Sequence, residues 1–278
     1  TVVEFEASGN KPTKIMRDGN KDTLEVQFGD GSKYEANWKS HHQRFTPPPG
    51  SGRQPVDYFN TGERGPDGKP IWREIEPPVP DMSKEENRII EVRYKRGQGD
   101  ENLPAAARID RQTGQIMSVY ESGASIVRDQ HLKVEQIGYQ NGKTFNVERN
   151  DDGQISKFTG SDGTVYKKRG DQAEGPDGKK VPRWNVIKNG QEAGIFDGTI
   201  DVRGATIERK GIDGSEEIVE NNGRTTVKEK GETVSITDSL GQTWIPEGKP
   251  DGKGNQKWGL LDDPAGQFEG KPVLLADG

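Results

Sequence analysis

The sequence predicts a mainly β protein, built as one long antiparallel meander or a solenoid-like extended sheet with little helix. Two observations predict this fold class. From Gly114 to Gly241 a glycine-centred turn recurs about every ten residues, and short runs of Val, Ile, Phe, Tyr and Thr lie between the turns. Such spacing is typical of strands that fold back on one another.

The composition indicates a folded chain with little apolar material. Leu, Ile, Val and Phe together number 52 of 278 residues, and the mean hydropathy is -1.00. A low apolar content favours disorder chiefly when the net charge is large. Here 40 basic residues nearly balance 46 acidic ones, and the apolar residues alternate with polar ones. We therefore expect a thin sheet covered by long charged side chains whose methylene stems pack over it.

Several classes of protein are excluded or disfavoured. Without cysteine the chain has no disulfide framework, thiolate metal site or cysteine nucleophile. No stretch approaches the ~20 apolar residues of a membrane span, so we expect no membrane insertion. The charge balance provides no basic patch for nucleic acid. The chain opens at Thr1 in a strand-like run without a signal peptide, and we expect it to be part of a larger exported protein.

Residues 1–46 are predicted to form an N-terminal β-hairpin segment. Apolar residues alternate with polar ones on both sides of a glycine turn at 29–32, namely Leu24, Val26, Phe28, Tyr34, Ala36 and Trp38. Glycine supplies the positive φ that tight hairpins require. We expect the aromatic pair Tyr34 and Trp38 to cover one face.

Residues 47–85 are predicted to form a Pro-rich irregular connection. Nine of the 17 prolines fall between Pro47 and Pro80, and proline lacks the amide donor that a central strand needs. We expect one short strand at 71–75 and a single helical turn at 81–86.

Residues 86–245 are predicted to be the antiparallel β-meander, and residues 246–278 a C-terminal turn-rich segment. Hairpin turns are predicted in the meander at the dipeptides Asn141-Gly142, Asp152-Gly153, Asp162-Gly163, Asn189-Gly190, Asp213-Gly214 and Asn222-Gly223. A Pro-Asp-Gly turn followed by tryptophan occurs three times, at 65–72, 175–184 and 249–258. It indicates three degenerate copies of one unit, although Pro-Asp-Gly is also a common turn in its own right.

No residues converge on a recognisable chemistry. His41 and His42 are adjacent, so in an extended chain they point to opposite faces and cannot share a metal; we expect them, like His131, to be exposed polar residues. There is no G-x-S-x-G elbow and no phosphate-binding glycine loop before a helix. We therefore predict no catalytic residue, no cofactor and no metal site, and the chain is not expected to be an enzyme.

Tryptophans are the remaining candidates for a binding site. A possible aromatic binding face for carbohydrate or peptide comprises Trp38, Trp72, Trp184, Trp244 and Trp258. In a chain this poor in leucine, the alternative is that tryptophan supplies the scarce core.

The central half of the chain resembles the RHS/YD-repeat family. The residues concerned are 148–155 with Gly160, Gly163 and Tyr166 after them, and partial copies at 109–116 and 220–224. The Tyr-Asp dipeptide that names the family is missing from these copies. The resemblance implies a spiralling β-sheet with a structural role in a bacterial surface or toxin-enclosing protein. Asp263-Pro264-Ala265-Gly266 matches part of that family's self-cleavage motif, but Gln267 replaces its leucine, and we interpret it as a turn.

These observations predict a non-catalytic structural or interaction module of a larger exported bacterial protein, located outside the cell or on its surface. Its partner is expected to be another protein or other parts of its own parent chain. Two alternatives stay open: a secreted carbohydrate-binding or carbohydrate-active β-protein, and a self-assembling surface fibre subunit.

Overall fold

The protein is all-β. The structure is a computed structural model that describes residues 2–4, 11–20, 22–82, 88–97, 100, 102–250, 256–261 and, by backbone alone, 263–270. These residues contain 24 strands and no helix, which confirms the predicted fold class. The chain divides into two compact units: unit 1 contains residues 1–121 and 126–134, and unit 2 contains residues 122–125 and 135–278.

Unit 1 is an antiparallel meander in sequence order. Its first seven strands form one sheet in the order β1 to β7, and β9 pairs with both β8 and β10. A bridge between Ile75 and Tyr94 joins the end of β7 to the end of β8. The strands are β1 (Val2–Glu4), β2 (Pro12–Asp18), β3 (Thr23–Phe28), β4 (Lys33–Asn37), β5 (His42–Thr46), β6 (Val56–Arg64), β7 (Pro70–Glu74), β8 (Ile89–Arg93), β9 (Ala106–Asp110) and β10 (Ile116–Val119).

The core of unit 1 lies among β6 to β10. It contains fully buried Phe59 and Ile109, together with Ile75, Ile90, Val92, Tyr94, Ala107 and Ile116. The alternation of buried and exposed residues in β8 and β9 is that of a sheet with one face packed on a core and the other in water. The N-terminal strands β1 to β5 contribute no residue to this cluster.

Unit 2 is also an antiparallel meander, in which each strand from β12 to β23 pairs with its successor. β11 (Ser125–Arg128) includes residues of both units, and the first residue of β12, Val134, belongs to unit 1. The strands of unit 2 are β12 (Val134–Gly138), β13 (Thr144–Arg149), β14 (Ile155–Gly160), β15 (Val165–Glu174), β16 (Lys180–Lys188), β17 (Gln191–Arg203), β18 (Thr206–Gly211), β19 (Glu216–Val219), β20 (Thr225–Glu229), β21 (Glu232–Thr237), β22 (Thr243–Glu247), β23 (Gln256–Leu260) and β24 (Asp263–Gly270).

The 13-residue strand β17 turns the meander of unit 2 into two layers. Its first half pairs with β16, and from Gly198 onward it pairs with β18. Strands that pass from one sheet to another in this way form the corners of packed sheets. The layers meet where the Arg209 guanidinium lies 5.0 Å from the centre of the Tyr166 ring and 5.9 Å from that of Phe158. This packing was not predicted, because nothing in the strand pattern of 191–203 indicates a change of partner.

The predicted hairpin turns are present, in two forms. At Asn141-Gly142 the Tyr139 amide donates to the Lys143 carbonyl over 2.9 Å, and only the glycine has a positive φ, of 80°. This is a three-residue loop that ends in a left-handed glycine. At Asn189-Gly190 both residues have positive φ, of 52° and 77°, as a two-residue hairpin requires.

The repeated Pro-Asp-Gly turn has the same structure in both described copies. In each, the first glycine amide donates to the carbonyl of a lysine four residues later over 2.8 Å, and the aspartate accepts from the amide of that lysine. The third copy includes residues 251–255, which lie outside the described residues.

Two segments are more regular than the sequence predicted. Residues 47–85 contain two strands rather than one, since β6 occupies the proline-free stretch between Pro55 and Pro66. The predicted helical turn lies mostly in 83–87, outside the described residues. Asp263-Pro264-Ala265-Gly266, interpreted as a turn, instead begins strand β24, paired with β23. The division of the chain into four segments stays a prediction.

Candidate sheet-face binding site

The N-terminal sheet of unit 1 has one apolar face. Cross-strand register places one apolar residue of each successive strand directly opposite the next, across six strands. Because residues directly opposite each other lie on the same side of a sheet, these six form a continuous row. The row is Val3, Ile15, Val26, Tyr34, Phe45 and Val56.

Trp38 extends this face beyond the end of β4. Arg17 is two residues from Ile15 and therefore lies on the same face, and its guanidinium carbon is 5.7 Å from the centre of the Trp38 ring. We define the apolar face as the six residues of the row and Trp38. The predicted pairing of Tyr34 and Trp38 on one side of the first hairpin agrees with this register.

The apolar face is open to solvent. Val3 is 43% exposed, Phe45 39% and Trp38 44%, and Ile15, Val26, Tyr34 and Val56 are all partly exposed. None of the seven is buried, in contrast to Phe59 and Ile109 of the core.

The opposite face of the same sheet is charged. Lys33 forms ion pairs of 3.0 Å with both Glu25 and Glu35, and Lys14 pairs with Glu4 over 3.1 Å. Burial raises the pKa of Glu25, but hydrogen bonds from Gln27 and Lys33 lower it, so that this pKa lies below its usual value. At β1 to β4 this charged face is also open to solvent, since the side chains of Glu4 and Glu35 are 70% and 41% exposed.

The charged face becomes buried at β5 and β6. His42 Nε2 is 2.7 Å from Asp57 Oδ1, and Arg44 donates to the other carboxylate oxygen over 3.2 Å. The His42 ring packs on Phe59, with ring centres 4.8 Å apart. Burial lowers the pKa of His42 although Asp57 opposes the shift. The inward direction of these residues confirms that the apolar face of the same strands points outward.

The prediction that His41 and His42 are exposed is wrong. Their exposed fractions are 5% and 8%. His41 adopts a left-handed turn conformation, with φ of 51°, and its Nε2 donates to the Gly114 carbonyl over 2.7 Å. Burial lowers the pKa of His41. The burial of His41 could not be predicted from the sequence, because the carbonyl that accepts its hydrogen bond is 73 residues away.

A second buried polar cluster surrounds a bulge in β6. The pairing of β6 with β7 shifts register between Asn60 and Arg64. In the bulge, Glu63 accepts a charge-assisted bond from Arg128 over 2.6 Å and another from the Tyr120 hydroxyl. Arg128 is 3% exposed. Because its charge is matched by Glu63, this cluster has the character of a structural ion pair.

The five tryptophans do not form one face. Trp184 and Trp258, each 3% exposed, belong to the interior of unit 2, as the alternative interpretation expected. Trp72 and Trp244 are partly exposed, on β7 and β22. Trp38 belongs to the apolar face, and Trp72, directly opposite Asn60, lies on the same side of the sheet as Val56. An aromatic binding role therefore stays a prediction for these two residues.

The described residues show no grouping of three or more His, Asp or Glu side chains that could hold a metal ion. They also contain no helix long and apolar enough to span a membrane.

Comparison with known proteins identifies no family. No family model matches the sequence, and no curated protein matches it. Solved structures that are similar to it include the TCP10 domain of Danio rerio CPAP in complex with a peptide of Danio rerio STIL, and the G-box domain of the microcephaly protein CPAP. The first is 13% identical, with 86% of this chain and 99% of that chain covered and a TM-score of 0.19. The second is 12% identical, with 98% and 99% covered and a TM-score of 0.14. At these TM-scores neither likeness supports an inference about fold or function.

Proposed function

We propose that this chain is a non-catalytic interaction module that binds another protein through its apolar face. The observation that supports this is the continuous row of apolar residues that six successive strands present to solvent. A soluble monomer gains nothing from this arrangement, whereas a partner that covers the face removes its apolar surface from water.

The length of the apolar face is adequate for the centre of an interface. The row crosses six strands spaced ~4.8 Å apart and therefore spans about 24 Å. It contains one apolar residue from each strand, and Trp38 widens it beside β4. A standard interface buries about 800 Å² on each partner. The apolar face would therefore form the centre of such an interface, with charged residues at its rim.

The occupant we propose is an apolar surface strip of a different protein. A net charge of -6 and an apolar contact surface both disfavour nucleic acid, whose recognition depends on basic side chains. The wider proposal, in which the chain is an RHS-like part of an exported bacterial protein at the cell surface, rests only on the resemblance of the turn segments.

Site-specific photo-crosslinking in cells of the source organism tests this proposal. A photoreactive phenylalanine analogue is placed at Phe45 on the apolar face, or at Glu35 on the charged face as the matched control. The two positions are on adjacent strands, and their exposures are similar, at 39% for Phe45 and 41% for the Glu35 side chain.

We expect a discrete adduct with a second protein from position 45 and none from position 35. An adduct that contains two copies of this chain would instead assign the face to self-assembly, and a glycan adduct would assign it to carbohydrate binding. No adduct from position 45, or the same adducts from both positions, would contradict the proposal.

A further inference from the structure

Unit 2 contains a cavity of about 190 Å³ between its two layers. It lies among β13, β14 and β15 of one layer and β18, β19 and β20 of the other. Aromatic, acidic and basic side chains line it together; those that matter are Lys143, Phe145, Asp162, Tyr166, Arg209 and Glu217. A cavity of about 150 Å³ is sufficient for benzene, so this one has room for a small ring and one polar substituent.

Most of the charged groups in the cavity are already matched. Arg209 is 9% exposed and pairs with Glu217, and the Tyr166 ring lies against its guanidinium. Both carboxylate oxygens of Asp162 accept bonds from Thr164, one from its amide over 2.9 Å and one from its hydroxyl over 3.0 Å. These three charged residues therefore hold the walls in place.

Two side chains in the cavity have hydrogen-bond donors that lack an acceptor among the described residues. The Lys143 ammonium donates to the Thr225 hydroxyl over 2.9 Å, which leaves two of its three N–H groups without a partner in the described part of the chain. The Tyr166 hydroxyl makes no hydrogen bond to the described residues. Burial lowers the pKa of Lys143, although the charges of Glu217 and Asp162 oppose the shift. The exposed Lys188 adds positive charge to the lining.

We infer that this cavity binds a small aromatic or similarly flat organic carboxylate. The carboxylate accepts from the Lys143 ammonium and the Tyr166 hydroxyl, and the ring packs beside Phe145. A carboxylate supplies the acceptors that both donors lack, and charge-assisted bonds of this kind are the stronger class of hydrogen bond. The lining has three basic side chains, Lys143, Lys188 and Arg209, against the two acidic side chains Asp162 and Glu217, and this excess of one positive charge attracts an anion.

Benzoate is the probe, and benzamide, of the same shape without the charge, is the matched ligand control. Binding is measured by NMR titration of the full chain, with Lys143→Gln and Tyr166→Phe as test variants. Lys180→Gln is the control variant because Lys180 is an exposed residue of β16 that does not line the cavity. Circular dichroism spectra confirm that each variant is folded.

We expect benzoate to bind with a Kd of about 1 mM and benzamide roughly tenfold more weakly, since a bond between charged groups is lost. Lys143→Gln weakens benzoate binding roughly tenfold and Tyr166→Phe by a smaller factor, whereas Lys180→Gln has no effect. In the unsubstituted chain, saturating benzoate moves the titration of the Lys143 ε-CH₂ signals to higher pH, a readout independent of any variant.

Three outcomes would overturn the inference. The first is that the resonances of cavity residues do not shift at about 50 mM benzoate. The second is that benzoate and benzamide bind equally well, and the third is that Lys143→Gln binds benzoate as well as the unsubstituted chain does. Inorganic phosphate is the last ligand tested, in the same NMR titration. If it binds as well as benzoate, the cavity is an unselective anion site and the assignment to a ring-bearing carboxylate is wrong.

Discussion

Gly198 is the position where a single added methyl group tests the two-layer structure of unit 2. A Cβ at this residue would lie 2.0 Å from the Lys210 carbonyl oxygen and 2.7 Å from the Phe196 ring. Real Cβ atoms essentially never lie closer than 3.0 Å to another heavy atom. The Lys210 carbonyl oxygen would therefore have to move about 1 Å away from the new Cβ. Lys210 is part of β18, so the retreat would pull β18 away from β17.

The expected cost of Gly198→Ala follows from these contacts. Overpacking a well-packed interior costs about 1–3 kcal/mol. Displacement of β18 additionally weakens ladder hydrogen bonds, each worth about 1 kcal/mol. We therefore expect the free energy of unfolding, measured by urea denaturation and tryptophan fluorescence, to fall by about 3 kcal/mol or more. Trp184 is a suitable reporter because its Nε1 donates to the Gly198 carbonyl over 3.0 Å.

Gly170→Ala is the matched control. Gly170 lies in β15, its φ is not in the left-handed region, and a Cβ there would meet nothing within 4 Å. We expect the stability of this variant to stay within about 0.5 kcal/mol of the unsubstituted chain. If Gly198→Ala is equally harmless, β17 does not pass between sheets at Gly198 and the two-layer description is wrong.

Three further predictions concern unit 1. Arg128→Met removes the cation paired with Glu63, whose side chain is 17% exposed and keeps the hydrogen bond from Tyr120; it should lower the free energy of unfolding by about 2–3 kcal/mol, as measured by urea denaturation, and a loss below about 1 kcal/mol would refute the ion pair. Burial lowers the folded-state pKa of His41 and His42, so the unfolded state binds more protons below pH ~6.5, and stability should fall as the pH is lowered from about 7.5 to about 5.5; a urea midpoint that rises over this range would contradict the burial. Phe45→Ala should cost about 1 kcal/mol or less and Phe59→Ala about 3–5 kcal/mol in the same assay, whereas similar losses would place Phe45 in a core.

The strand and turn pattern could be predicted from sequence because it depends on local chemistry. Gly142 and Gly190 mark reversals wherever they occur, since glycine alone enters the left-handed region without cost. Alternation likewise predicted that Tyr34 and Trp38 share a face. These features require only neighbours within a few residues.

The direction of each face could not be predicted, because it depends on distant residues. Leu24, Val26 and Phe28 alternate as a core-facing strand would, and sequence reasoning assigns such a face to the interior by default. That the charged face turns inward at β5 and β6 becomes visible only through His42, which packs on Phe59 and binds Asp57. The cavity around Lys143 was missed for the same reason, since Thr225 is 82 residues away.

The most direct test of the central claim is the solvent accessibility of methyl groups in the isolated chain. A soluble gadolinium complex should strongly broaden the NMR methyl signals of Ile15 and Val26 on the apolar face and leave those of Ile109 and Ile116 in the core sharp. If Ile15 and Val26 are as protected as Ile109, the sheet faces are assigned the wrong way round and the proposed binding surface does not exist.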